Sequence, residues 1–454
     1  MVSTIQHKLQ HYDRYLITAA VVVGLLLAEA MVGRRILAFE PSFVTAAVFS
    51  LVGAIAILGK LELGIALLGG LSMYPNPTIF DVQGREIDVN HLVGGLIVVI
   101  WLLRRLVAQL DLRPPRSGLN APLLALVLVW LVSWIAGYTL WDIRIPTAHR
   151  QPLFFVAEFG QLLMFIGVFW AVADTVKSER WARVICATII IANASTPFRG
   201  GLGFNQTPVA LALTCSLLAF GKVDLRVKAG LWLVLGIFLW GLIGVNRIPI
   251  YLASMAVVLV VSFLKSRRLF ALVLLIFVVL GVAFIRPLWD VESSISSHLQ
   301  LAELAWSIFK EYPVIGIGPT HYRSYAILYH RAWGWNTVES GLLLPHNRWM
   351  YFLANMGVVG LVGILWVVGS MLWNAVSDYR RTQDAFSKFL ATSALASVTG
   401  VLVQSAMGHM AFLPDYALAS FYMVPVWIMM GLMVARRPGT KVRGILLTRL
   451  GGAR

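Results

Sequence analysis

The sequence predicts an all-α fold, a polytopic membrane bundle of about twelve to fourteen transmembrane helices with one large, partly helical loop on its outer side. Three observations predict it. Hydrophobic residues make up 59% of the 454-residue chain and charged residues only 13%, against roughly 25% charged in an ordinary soluble domain. Apolar runs of about 20 residues, enough to cross a bilayer as helix, recur with charged breaks between them. The mean hydropathy is +0.79, and the chain carries 16 tryptophans. An outer-membrane barrel would read instead as alternating strands of about ten residues, and these runs do not alternate. In lipid, each backbone polar group must bond within its own segment, so continuous apolar runs form helices.

Along the chain the spans fall at 14–32, 42–58, 61–75, 91–109, 121–140, 152–174, 181–194, 206–221, 229–245, 248–264, 269–285, 347–372, 388–408 and 417–435. The opening MVSTIQHKLQHYDRY is basic and polar. No clear small-residue cleavage site follows it, so the first run reads as a retained span and not a removed signal. The runs 42–58 and 61–75 are short, separated only by GKL, and read equally as one broken element. The segment 181–194 is short as well. Three regions result: helices through residue 285, a long segment over 286–345, and closing helices with a basic tail over 346–454.

A formal charge of +16 invites a nucleic-acid partner, but the positive residues lie between spans, where they set topology. With the N-terminus in the cytoplasm, most of the 37 Lys and Arg fall on the inner side. They include Arg104, Arg105, Arg113 and Arg116; Lys222, Arg226 and Lys228; Lys265, Arg267 and Arg268; Arg380, Arg381 and Lys388; and the tail from Arg436. Arg34 and Arg35 run against the rule. The expectation is a multi-pass membrane protein with both termini cytoplasmic and no nucleic-acid partner.

This alternation leaves 286–345 outside. Its stretch SSISSHLQLAELAWSIFKE reads as an amphipathic helix, with Leu301, Leu304 and Ile308 on one side, Trp306 near the edge, and Lys310 and Glu311 elsewhere. Glycines and prolines punctuate YPVIGIGPTHY as a turn. The ring-rich YRSYAILYHRAWGWNTVES follows. A partly structured cap over the outer face fits better than a flexible linker.

Three positive or titratable groups reach the same side. Arg199 lies in ANASTPFRGGLGFNQTP, before a span. Arg247 lies in IGVNRIPIY, where almost no link separates two spans. A charge within a span costs about 2.5–3.5 kcal/mol on insertion scales, so placing one this close to lipid calls for a reason. Each arginine reads either as a headgroup anchor or as a bidentate fork for phosphate oxygens. His346 ends the long segment, followed by Asn347 and Arg348. It reads either as an interfacial cap residue or as an imidazole that accepts a proton near neutral pH. Tyr322, Tyr325, Tyr329, Trp333 and Trp335 read as an aromatic belt or as stacking faces for sugar rings.

His298, His321 and His330 lack zinc-site spacing, and Cys186 and Cys215 sit in apolar runs without a CxxC, so no metal or other cofactor is expected. The outer acids Asp290, Glu303, Glu311 and Glu339 form no certified pair, which argues against the paired-carboxylate chemistry of soluble glycosidases.

Three stretches together carry a resemblance to a known family. FRGGLGFNQTPVALAL (198–213) is similar to an arginine–glycine element before a helix. NRIPIYLASMAVVL (246–259) resembles a second arginine element. AWSIFKEYPVIGIGPTHY (305–322), followed by ESGLLLPHNRWMYFLANMGVVGLVG (339–363), resembles a Pro-x-x-Gly-x-Gly plus His-Asn pattern. The region from about 185 to 372 thus resembles the O-antigen ligase and polymerase family of bacterial inner-membrane proteins. Two departures stand out. Asn246 replaces the serine common before the second arginine, and Asn205 and Pro208 stand apart and in the reverse order from the family's Pro-Asn.

The resemblance implies transfer or polymerisation of a glycan carried on undecaprenyl diphosphate. It places the reaction at the periplasmic face, for surface polysaccharide synthesis. It gives His346 the place beside the reacting hydroxyl and Arg199 and Arg247 the diphosphate. Glu339 and Asn347 become supports, and Arg348, Tyr322, Trp333 and Trp335 contacts to substrate. A metal-independent, inverting displacement is expected. The implied partners are the lipid-linked donor, a glycan or lipid acceptor, membrane lipids and polysaccharide-assembly proteins. The alternative is a transporter or flippase for polysaccharide or lipid-linked substrate, which polar groups deep in spans would favour. Glu29 and Glu158 are the acids found there, and no paired broken helices stand out. A structural scaffold would leave the long outer segment unexplained.

Overall fold

The computed structural model describes residues 60–73, 78–82, 85–110, 112–140, 142–143, 152–194, 207–243, 248–289, 292–332, 345, 347–407 and 423–437. The all-α polytopic bundle holds, and seven helices among the described residues are long and apolar enough to cross a membrane. In chain order the helices are α1 (Leu61–Leu71), α2 (Val89–Arg104), α3 (Asn120–Thr139), α4 (Pro152–Thr175), α5 (Glu179–Ala194), α6 (Thr207–Phe220), α7 (Leu225–Ile243), α8 (Ile248–Lys265) and α9 (Arg267–Trp289). There follow α10 (Glu292–Glu311), α11 (Tyr322–Ala332), α12 (Arg348–Arg381), α13 (Ala385–Met407) and α14 (Val424–Ala435). Each expected span from residue 61 onward meets one helix. Within the long segment, α10 buries Leu301, Leu304 and Ile308 and leaves Trp306 exposed, as its amphipathic pattern requires.

Among the described residues one element departs from the helical pattern. Between α1 and α2 lies an antiparallel hairpin of β1 (Thr78–Val82) and β2 (Arg85–Asp88), with Phe80 opposite Ile87 and Val82 opposite Arg85. TIFDV is β-branched and aromatic, and Gln83-Gly84 between the strands is turn chemistry, a signal short enough to be lost among long apolar runs. The hairpin ends in a helix start. Asp88 Oδ1 accepts from the His91 N–H at 3.1 Å, and His91 Nδ1 accepts from the Asp88 N–H at 3.1 Å, a reciprocal cap with histidine in the usual glutamate place.

The core forms around α14, whose residues are buried on every side. A helix apolar all round belongs inside. VPVWIMMGLMVA packs on α4 and α13. A Cβ added at Gly431 would lie 2.7 Å from Val172 Cβ and 2.9 Å from the Phe169 carbonyl, so glycine sets how closely α14 approaches α4. A second contact group joins α6, α8 and α13, and α12 packs on α13 and α3. Outward faces stay apolar. Leu124, Leu128, Val132 and Ile135 line α3, and Val358, Val362, Leu365 and Trp366 line α12, all exposed. Stripes of that size on water-facing helices would be a liability; here they suit a lipid-facing surface.

The helix ends sort into two sets. At one end Arg105 pairs with Asp174 at 3.2 Å, joining α4 to the π-helical turn Arg105–Gln109 that continues α2. Arg437 pairs with Asp378 at 2.8 Å and donates to Asn374 Oδ1 at 2.7 Å. Lys265 Nζ donates to the Ala219 carbonyl, and the Tyr379 hydroxyl to the Leu264 carbonyl. These are the ends that the charge pattern assigns to one side. The opposite end carries Asp142 and the long segment.

Candidate functional site

The long segment meets the bundle at a break in α12. Gly357 adopts φ 62°, ψ −164° inside that helix, a conformation essentially confined to glycine. An unbroken helix would send the Val358 and Val359 N–H groups to the Ala354 and Asn355 carbonyls. Instead, Val358 donates to Pro313 at 2.9 Å and Val359 to Val314 at 3.1 Å. The two carbonyls accept from Ile317 at 3.1 Å and Gly318 at 2.8 Å. The turn PVIGIG thus satisfies these four groups, as irregular backbone at membrane depth requires. Gly316 and Gly318 also take positive φ. A Cβ on Gly316 would fall 2.3 Å from the Asn355 carbonyl carbon, and one on Gly137 of α3 would fall 2.0 Å from the Ile317 oxygen. The spacing Pro313-x-x-Gly316-x-Gly318 is therefore that of a backbone docked between α3 and α12.

Beside this junction the Tyr312 hydroxyl donates to Asp142 Oδ2 at 3.1 Å, and the Asp142 N–H donates to the Tyr325 hydroxyl at 3.3 Å. The two rings meet edge to face at 5.5 Å. Burial first, then the neighbouring Tyr325 and Asp142, pushes the Tyr312 phenol well above its usual range, so it keeps its proton at physiological pH. Ala136, Leu140, Val314 and Ile315 help line a cavity of about 170 Å³ next to Tyr312. His321, buried, opens α11. A carbonyl can only accept, so in the 2.9 Å contact with the Ile317 oxygen the proton is on Nδ1.

Of the residues singled out in the sequence, Arg199, Arg247, His346, Glu339, Trp333 and Trp335 lie outside the described residues. Asn347 caps α12, its Oδ1 accepting from the Trp349 and Met350 N–H groups at 3.0 and 3.2 Å. Arg348 is fully buried, with its guanidinium 5.1 Å from the Tyr351 ring centre. Tyr322 is 1% exposed, its ring 5.3 Å from that of Tyr351. The structure thus brings Tyr322, Tyr351 and Arg348 together. It also removes the Tyr322 and Tyr325 rings from any exposed stacking face, because both are buried. Among the described residues the Tyr322 hydroxyl has no hydrogen-bond partner. Tyr322→Phe is expected to leave the unfolding midpoint of the purified protein unchanged or higher. An unsatisfied buried hydroxyl costs about 1–3 kcal/mol, and a drop in midpoint would mean that the hydroxyl is satisfied within the fold.

Sequence reasoning missed Tyr312, Asp142 and the role of His321. Two signals were present. Asp142 is an acid just past an apolar span, and Tyr312 immediately precedes the proline of the Pro-x-x-Gly-x-Gly pattern. Among the described residues no three of His, Cys, Asp and Glu gather closely enough to hold a metal ion.

Fold and contacts define a multi-pass membrane protein whose irregular backbone docks at one end of the helix bundle. No family model matches the chain, and no curated protein matches it in sequence.

Proposed function

We propose that the chain is a membrane glycosyltransferase that moves a glycan from undecaprenyl diphosphate to an acceptor hydroxyl at the end of the bundle carrying the 286–345 segment. One observation carries this reading. The Pro313–Gly318 turn and the helix that follows His346 in sequence, the two halves of the pattern resembling O-antigen ligases and polymerases, are joined by four backbone hydrogen bonds. A pattern split over the long segment thus becomes one rigid unit, the kind of scaffold that holds reacting groups in place.

In the proposed reaction the bond from the sugar C1 to the diphosphate oxygen breaks as the acceptor oxygen bonds to C1 from the opposite face. The configuration inverts. His346 takes the acceptor proton. Arg199 and Arg247 face the charge that grows on the departing diphosphate, the preorganised stabilisation that lowers barriers most. In this reading Trp333, Trp335 and Glu339 would hold substrate and exclude water, while Tyr322 and Arg348, both buried, back them from within the fold and do not touch the sugar. Asn347 keeps the helix start in register behind His346. The basic end of the bundle would then face the cytoplasm of a bacterial inner membrane, and the reaction the periplasm. Cysteine introduced at Gly200 should react with an impermeant reagent added outside the cell, and one at Lys222 should not.

The decisive assay is incubation of the purified protein with a lipid-diphosphate-linked glycan and candidate acceptors, with products read by size. A ladder of lengths is the polymerase outcome, and one addition to an acceptor lipid is the ligase outcome. Neither product would sink the reading.

A transporter or flippase is the second reading, and the break at Gly357 favours it, since discontinuous helices build transport sites. Glu158, buried in α4, adds an acid within a span. Movement of lipid-linked substrate across vesicles without any transfer would select it.

A further inference from the structure

We propose that Gln404 is a phosphate-binding residue, placed where the first turns of α6 and α8 converge on the last turns of α13. The proposal deepens the transferase reading and rests on it for the identity of the ligand. Contacts at both ends of these helices fix the geometry. Lys265 reaches the Ala219 carbonyl, so the C-terminal ends of α8 and α6 lie together. At the other end, a Cβ built on Gly400 of α13 would lie 3.3 Å from Pro208 Cβ in the first turn of α6, and 2.7 Å and 3.4 Å from Val257 Cγ2 and the Ala253 oxygen of α8. Gln404 follows Gly400 by one turn on the same face of α13. One turn nearer the end of α13, it lies level with the start of α6 and with the residues of α8 that precede Ala253. Since Tyr379 near the end of α12 bonds Leu264 at the end of α8, this is also the end of the bundle where α12 begins.

Two independent observations point to a ligand there. Helix N-termini present unpaired N–H groups and a positive dipole end, a standing invitation to an anion. Gln404 is 1% exposed and its Oε1 has no hydrogen-bond partner among the described residues; Ser254, one residue beyond Ala253, is 4% exposed and its Oγ likewise has none among them. Other buried polar atoms of the bundle, Thr392, Ser393 and Ser397 of α13 among them, also lack a partner among the described residues; Gln404 and Ser254 stand apart because they lie next to two helix starts, where a bound group would complete them. Charge selects the sign of that ligand. None of α6, α8 and α13 carries an Asp or Glu, so these three helices offer a cation no counter-charge, and Arg247 immediately precedes α8 in the sequence. The amide can turn its NH₂ toward a phosphate oxygen, and the hydroxyl can donate to another.

The test uses the full chain in lipid nanodiscs with three probes: undecaprenyl diphosphate, undecaprenol and inorganic pyrophosphate. Thermal unfolding and direct titration are read for each. Undecaprenyl diphosphate is expected to raise the unfolding midpoint and undecaprenol to leave it in place. Competition by pyrophosphate would show that the head group is recognised without its lipid, and its failure would make the lipid-borne group the source; both are consistent with a phosphate site. Gln404→Leu should weaken binding of the diphosphate about tenfold, the loss of one hydrogen bond to a charged group. Gln404→Glu should weaken it at least as much through repulsion, and Gln404→Asn less. Without ligand, Gln404→Leu should unfold at the wild-type temperature or above, which separates lost binding from lost folding. Wild-type affinity in both Gln404→Leu and Gln404→Glu overturns the proposal, as does equal protection by undecaprenol. If those variants bind normally while the wild type transfers glycan, the phosphate role of Gln404 falls and the transferase reading stands. If binding depends on Gln404 but the wild type transfers nothing, the phosphate role stands and the transferase reading falls.

Discussion

Gly357→Ala is expected to cost the protein more than about 3 kcal/mol, from a strained backbone of about 1–3 kcal/mol and overpacking of a similar size. Both terms have coordinates behind them. The residue sits at φ 62° within α12, and an added Cβ would lie 2.3 Å from both the carbonyl carbon and the oxygen of Val314. Neither neighbour is a side chain that can swing aside. They belong to the turn that holds the four hydrogen bonds of the break, so relief by movement means undocking Pro313–Gly318 from α12. Folded proteins stand only about 5–15 kcal/mol above unfolding, so the variant should yield little folded protein, or unfold at a markedly lower temperature in detergent. Gly369→Ala is the matched control. It lies in the same helix, and a Cβ there meets nothing within 4 Å, so the change should be neutral or slightly stabilising, because alanine is the better helix former. If the two variants unfold together at the wild-type temperature, the junction is not what orders the long segment.

The contrast between these two glycines also marks what the sequence could and could not reveal. Helix positions were legible because the membrane imposes a length and a composition, and α4 (Pro152–Thr175) and α8 (Ile248–Lys265) begin at the positions where their apolar runs do. The amphipathic α10 was legible for the same reason, since a face repeating every three to four residues leaves its mark on the sequence. The break at Gly357 left no such mark. The stretch NMGVVGLVG contains glycines of identical appearance, and only a docked partner from elsewhere in the chain decides which one bends. The same holds for Tyr322 and Tyr325. Their ring-rich surroundings suggested an exposed belt, but burial follows from tertiary contacts with Tyr351 and Tyr312 that no local pattern encodes. Arg348 is the sharpest case. The resemblance made it a contact to substrate, yet it is fully buried with its guanidinium over the Tyr351 ring.

His346→Ala is expected to reduce glycan transfer by about 10²–10⁴, the range that a positioned acid or base supplies, with the unfolding midpoint and abundance kept. The comparison that gives this outcome meaning is with the neighbouring positions. Asn347→Ala removes the two hydrogen bonds that start α12, and should cost about 1 kcal/mol of stability with only an indirect effect on rate. Asn347→Asp retains an acceptor in the cap and should restore that stability. His321→Ala is the rival. Its Nδ1–H holds the Ile317 carbonyl within the docked turn, so its loss should lower the midpoint and the rate together. Loss of rate alone at His346 is the signature of a group that meets the acceptor, because a structural role would also move the midpoint. Transfer that survives in His346→Ala but disappears in His321→Ala would shift the base to the docked turn itself, where Nδ1 of His321 is held by the Ile317 carbonyl.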